Sequence, residues 1–236
     1  MFTIDIDAFK EPGLYLHTPQ SDWLKLTRPE IEKRMRHMLD EPALIPPAVR
    51  AAAEYKPCDI CPERDSAEIC HAIMTTLPFA KEIDRYMSYQ NVVAAYREPL
   101  FADNEIGGLY IRKTTMQEAL QYIAMLSLLF YCEVGKKYYP YFANTNPLMP
   151  GDALSRVAFA NIYLACNGDT EAISTLLKEM TDELLLTTRC QVTRLQLICH
   201  QDAFINAIVG THTTVQMVMQ NMQIRLQKLK QESHNR

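Results

Sequence analysis

From Ile173 to Leu229 the apolar residues recur at mostly three- and four-residue steps. Ile173, Leu177, Met180, Leu184, Val192, Leu195 and Cys199 form one stripe; Ile205, Ile208, Val215, Val218, Met222, Leu226 and Leu229 form the next. That period puts each set on one face of a helix. A break near His200–Asp202 makes the segment two long antiparallel helices, with Gln231–Arg236 frayed. The bland use of such stripes is core packing; a coiled-coil seam that makes a homodimer through the C-terminal helices is the alternative. Only seven glycines occur in 236 residues, too few for the many turns of a β-sandwich or barrel.

The rest of the chain mixes strands with shorter helices. Phe2–Ile6 alternates in polarity and Gly13–His17 follows a Pro-Gly turn, so a small hairpin is expected. Thr27-Arg-Pro-Glu30 is a capping box that opens a helix to about Leu39. Pro46-Pro47 opens another, stopped by Lys56-Pro57. Ser66 or Ala67 is expected to begin a helix carrying Cys70, Ile73, Met74 and Leu77, interrupted at Pro78. Val92–Arg97 and Leu109–Lys113 read as an antiparallel hairpin around an acidic loop ending in Gly107-Gly108. Thr114 or Thr115 caps a helix apolar nearly all round, which ends at Cys132 and is therefore central. Asp152–Cys166 is a further helix, stopped by Asn167-Gly168.

The expectation is one α+β domain over 1–236, mostly helical, with small antiparallel β-hairpins packed on a helical bundle and a long C-terminal helical hairpin. A subdivision at 113/114 would separate a mixed N-terminal part from a helical part.

Hydrophobic residues make up 48% and charged residues 22%, the balance of a soluble globular protein. A net charge of −4 argues against a nucleic-acid groove, which needs clustered Lys and Arg on phosphates. The amino terminus has early acids and no apolar run, and Ile123–Cys132 is too short to span a bilayer. The expected location is the cytoplasm, without membrane association. Seven cysteines there read as thiols, metal ligands or redox groups rather than as a disulfide framework.

Three of those thiols fall in Cys58-Asp-Ile-Cys61-Pro-Glu-Arg-Asp-Ser-Ala-Glu-Ile-Cys70-His71. Two thiolates three residues apart in a tight turn can face one ion, and zinc takes four such ligands. Cys70 supplies a third. Cys132, beside a turn, is the better fourth; His71 is the local alternative. CxxC with distal cysteines also suits an iron–sulfur cluster, or a redox dithiol, or simply reduced thiols.

The order Cys58-x2-Cys61-Pro62, Cys70, Ser88-Tyr89 before a Val-rich strand, then Arg112-Lys113-Thr114 opening a helix that ends in Cys132, resembles a family of uncharacterised bacterial proteins. Its members carry Cys-Pro-x-Cys-Pro, a third Cys-Pro and a fourth after the helix. The likeness covers Ala43 to about Asp169. Asp59, His71 and Glu133 stand where that pattern has prolines. The resemblance implies that Cys58, Cys61, Cys70 and Cys132 go together as one metal site; it implies no activity.

Other candidates are weaker. Arg97, Arg112, Lys113, Lys136 and Lys137 suggest an anion site near the central helix, and Tyr138, Tyr139, Tyr141 and Phe142 a stacking surface, together the basis of an enzyme reading. Solvated charge and packing explain them as well. His17, His200 and His212 lack a diagnostic partner. Cys166, Cys190 and Cys199 sit in apolar helical patterns and are expected to be buried and inert. No phosphate-binding glycine loop, dinucleotide fingerprint, zincin helix or nucleophile elbow is present. The expectation is a non-enzymatic protein with a structural zinc site and an interaction or regulatory role toward a protein partner. A redox or oxygen sensor is the alternative.

Overall fold

The computed structural model describes residues 6–18, 21–67, 69–83, 85–97, 108–198 and 202–234. Four strands form one antiparallel sheet: β1 (Gly13–Thr18), β2 (Ser21–Thr27), β3 (Asn91–Arg97) and β4 (Leu109–Thr115), in the order β2-β1-β3-β4. The expected β3/β4 hairpin pairs in unbroken register from Asn91↔Thr115 to Arg97↔Leu109. The N-terminal hairpin differs from expectation. Phe2–Asp5 lie outside the described residues, and Ile6–Ala8 form a 3-10 turn. β1 pairs instead with β2, which carries its own alternation at Leu24 and Leu26, and on its other side with β3. The two hairpins thus merge into one sheet. Leu14, Leu16, Leu26 and Ala94 are fully buried on it.

Helices cover the sheet and extend beyond it. α1 (Arg28–Asp40) starts at Thr27, whose side-chain oxygen accepts the Glu30 N–H at 3.4 Å, as the capping box predicts. α2 (Pro47–Glu54) follows. The expected helix from Ser66 does not form. Turns run to Ser66, and α3 (His71–Met74) starts only after Cys70. The reason is tertiary: the Cys70 N–H donates to the Ala53 carbonyl at 3.1 Å, so that residue is pinned to the end of α2. α4 (Ala80–Ile83) is one turn beyond the Pro78 break.

α5 (Met116–Leu126) is capped by Thr115, which accepts from the Glu118 N–H. It widens into a π-turn at Ser127–Tyr131, and Cys132 is the first extended residue after it. A 3-10 stretch, Gly135–Phe142, leads to α6 (Gly151–Ala165). Asn167 and Gly168, at φ 50° and 74°, end α6 by the left-handed turn expected of Asn-Gly. The long pair is α7 (Thr170–Leu195) and α8 (Asp202–His234). α8 continues to His234 rather than fraying from Gln231.

Two hydrophobic clusters flank α5. One lies between it and the sheet, with Ile31, Ile73, Met74 and Phe79; the other lies among α6, α7 and α8. Ile173, Leu177, Met180 and Leu184 of the α7 stripe are at most 1% exposed, packed within the chain itself. Among the described residues no helix is long and apolar enough to cross a membrane.

Candidate functional site

The expected cysteines sit on three separately folded pieces. Cys58 and Cys61 occupy the turn after α2, where the Cys61 N–H donates to the Cys58 carbonyl at 3.4 Å. Cys70 is the residue before α3. Cys132 follows the π-turn, and its carbonyl accepts the Lys136 N–H at 2.8 Å. All four line one pocket of about 50 Å³, together with His71 at its exposed rim. α7 closes the back with Cys190, Gln191 and Arg194. Among the described residues no group of three or more His, Cys, Asp or Glu side chains stands in position to hold a metal ion. The thiols wall the pocket rather than meet at one point.

Backbone N–H groups are turned onto three of the sulfurs. Those of Ile60 and Cys61 donate to Cys58, that of Glu63 to Cys61, and those of Val134 and Gly135 to Cys132. Such bonds favour a thiolate. Burial opposes them and prevails at two positions: the Cys61 thiol is pushed up, and that of Cys132 to about 11.

Cys58 behaves differently, because of a residue expected to be inert. Cys190 lines the same pocket as Cys58, and the neighbouring Cys190 thiol is the largest cause that draws the Cys58 thiol down from 9.0 to about 6. The nearby Arg194 guanidinium favours the same thiolate. Cys190, half-buried, is pushed strongly the other way by the Cys58 thiol beside it and by burial. Of the two, Cys58 is the sulfur favoured as thiolate. Cys58 itself is 9% exposed and lines the pocket. The sequence around Cys190 reads as an apolar helix face, so only its neighbour across the fold marks it out.

Arg194, 4% exposed, is held rigidly. Its Nη1 donates to the carbonyls of Ala52 and Ala53 in the last turn of α2 at 3.2 and 2.9 Å. Beneath it, Gln191 donates to the Ser127 hydroxyl at 2.9 Å, and Ser127 in turn donates to the Ala72 carbonyl. Tyr131 donates to Glu32 at 2.8 Å; burial and that carboxylate push its phenol to about 12.

The basic and aromatic candidates do not gather into a second centre. Arg97 donates to the Phe9 carbonyl, and Arg112 to that of Leu148. Lys136 pairs with Glu133, and Lys137 with Glu179 and Glu183. Tyr138 donates to Glu183 at 2.9 Å. Tyr139 packs at a tilt against Phe130, ring centroids 4.4 Å apart, and with Phe142 it borders an aromatic pocket of about 120 Å³. None of the five basic residues lines that pocket. His212 shares a 2.7 Å hydrogen bond with Thr188, an interhelical contact. Cys199 and His200 lie outside the described residues.

Comparison of the chain with family models, with curated proteins and with solved structures finds no match.

Proposed function

We propose that the protein is a thiol-based redox switch with a regulatory role, in which Cys58 is the reacting thiolate and Cys190 the thiol that resolves it. The observation that carries this reading is that Cys58 and Cys190 line one pocket beside the buried Arg194. A reactive cysteine is a thiolate at neutral pH, is reachable by solvent-borne reagents, and has a second thiol within reach. Cys58 is drawn toward the thiolate, lines the pocket and has the Cys190 thiol beside it. Oxidation to a Cys58–Cys190 disulfide would join the loop at 58–61 to α7 by a covalent bond. It would alter the pocket mouth and the neighbouring Cys61 and Cys70, a surface for a protein partner. This chemistry suits the reducing cytoplasm, where disulfides are transient and informative.

The direct test is to equilibrate the protein in glutathione buffers of rising potential, trap free thiols, and map the disulfides by mass spectrometry. A reversible Cys58–Cys190 disulfide, abolished by Cys190→Ser, is expected. Retention of both thiols at an oxidising poise sinks the reading.

A second reading has its own support. N–H donors face Cys58, Cys61 and Cys132, and with Cys70 these thiols border one pocket. N–H···S bonds and four thiolates are also what a zinc ion or an iron–sulfur cluster requires. Closure of the loops at 58–70 and 132 onto one point would be needed. About one zinc per chain after purification without oxygen or chelator, lost in Cys61→Ser and Cys70→Ser, would favour a structural zinc site. Iron with a brown chromophore would favour the cluster.

A further inference from the structure

The aromatic pocket has about 120 Å³, more than twice the volume of the thiol pocket. Its walls hold two tilted ring pairs: Tyr96 and Tyr122, centroids 5.6 Å apart, and Phe130 and Tyr139, 4.4 Å apart. Phe142 adds a further ring. These rings come from β3, α5, the π-turn and the 3-10 stretch, so only the folded chain assembles them. The π-turn gives Phe130 to this pocket and the next residue, Tyr131, to the thiol pocket. Among the described residues no charged side chain lines the aromatic pocket. Aromatic cages suit quaternary cations, but here the Arg28 guanidinium already lies over Phe130, 5.3 Å from its centroid, and no lining carboxylate offsets it. An anion would be taken out of water without a lining partner for its charge. The pocket therefore favours a neutral guest. One polar group faces that guest. Tyr122 is 7% exposed, and its hydroxyl forms no hydrogen bond among the described residues. Its oxygen is not one of the fully buried atoms that lack a partner, so it keeps accessible surface, on the pocket that it lines. A cavity of about 150 Å³ with aliphatic and aromatic walls takes one benzene. The volume here is that of one six-membered ring.

We infer that this pocket is a binding site for a small neutral phenol, its ring against the aromatic walls and its hydroxyl paired with that of Tyr122. A hydroxyl both donates and accepts, so the two groups satisfy each other. An aromatic ring has a negative face and a positive edge, and tilted walls offer it edge-to-face contacts that a saturated ring of the same size cannot make. The site binds and does no covalent chemistry. None of the cysteines lines it, so the inference goes beyond the thiol-redox reading and does not depend on it.

The test titrates the full chain, labelled at its methionine methyl groups, with phenol, benzene, cyclohexanol and tetramethylammonium, followed by NMR. Met125 lines the pocket and reports binding there, its signal assigned through Met125→Leu. Phenol is expected to shift the Met125 signal to saturation with a Kd below about 1 mM, a modest demand on seven heavy atoms. Cyclohexanol is expected to bind at least about fivefold more weakly. Tetramethylammonium is expected to leave the signal in place. Tyr122→Phe keeps the ring and removes the hydroxyl, so phenol should weaken at least about fivefold while benzene changes by less than about twofold. In Cys58→Ser, which lacks the reacting thiol, phenol binding should change by less than about twofold from wild type, within the scatter of distant independent sites. No saturable shift of Met125 by phenol would overturn the inference. So would cyclohexanol binding as tightly as phenol, a saturable shift with tetramethylammonium, or phenol and benzene weakening in parallel in Tyr122→Phe. The first two of these are read on wild type and stand whether or not the variant folds. Loss of phenol binding in Cys58→Ser would place the guest in the thiol pocket and overturn it as well, whereas failure of the Cys58–Cys190 disulfide to form leaves this prediction as it is.

Discussion

Arg194 donates from Nη1 to the Ala53 carbonyl at 2.9 Å, across 141 residues of chain. The same carbonyl accepts the Cys70 N–H at 3.1 Å. One oxygen at the end of α2 therefore fixes the depth of Cys70 and the aim of the guanidinium that faces Cys58 and Cys190. Arg194→Met removes the donor to both carbonyls, of which Ala53 keeps its bond from Cys70. A destabilisation on the order of 3 kcal/mol is expected. Urea unfolding should show a lower midpoint at an unchanged slope; a loss below about 1 kcal/mol would mean that the bonds are replaced by solvent.

The state of Cys58 sets a pH dependence. Its thiol, drawn from 9.0 to about 6 by Cys190, is a thiolate above that pH. The alkylation rate at Cys58 should rise as pH rises through about 6 and then level off. In Cys190→Ala the principal cause is gone, so the midpoint should move upward, toward 9.0. Mass-resolved iodoacetamide kinetics between pH 4.5 and 9.5 would measure it. A wild-type midpoint already near 9.0 would contradict the assignment.

Gly135 is required by close approach. A Cβ built there would lie 2.1 Å from the Leu128 carbonyl oxygen, a backbone atom that cannot swing aside. Its N–H also faces the Cys132 sulfur. Gly135→Ala should cost roughly 2–3 kcal/mol and displace Cys132 from the pocket wall. Thermal unfolding and the accessibility of Cys132 to a maleimide would report both effects together.

Ser127 is wholly buried and joins α3 to α7 through Ala72 and Gln191. Ser127→Ala leaves the Gln191 Nε2–H and the Ala72 carbonyl each one partner short. A loss of about 1–3 kcal/mol is expected in chemical denaturation. Ser127→Thr, which retains the hydroxyl, separates this from packing: recovery of most of the loss is expected where the extra methyl fits.

Asp169 caps the 26-residue α7 by accepting the N–H groups of Glu171 at 2.9 Å and Ala172 at 3.2 Å. Asp169→Ala should cost about 1 kcal/mol, and Asp169→Ser should restore most of it. Hydrogen exchange at Glu171 and Ala172 would locate the effect.

Much of this fold is written locally. The steps from Ile173 to Leu184, the Thr27 capping box, the Asn167-Gly168 stop and the Val92–Arg97 alternation each act within a few residues. Helix hydrogen bonds and turn dihedrals depend on near neighbours, so these elements can be read from the chain alone. The Cys58-x2-Cys61 turn belongs to the same class. Ser66–Cys70 shows the limit: its helix signal yields to one bond from Ala53, which lies outside any local window. β1 likewise shows nothing in its own residues that selects β3 as its second neighbour. Cys190 and Arg194 mark the limit at the site. Each sits in an ordinary helical stripe, and each gains its chemistry only from α2 and the Cys58 turn packed against it. Spacing along the chain determined the helices, the turns and four candidate thiols. Which sulfur faces Cys58, and which charge stands beside it, were decided by tertiary packing, because hydrogen bonds and Coulomb forces act through space while sequence patterns record only neighbours along the chain.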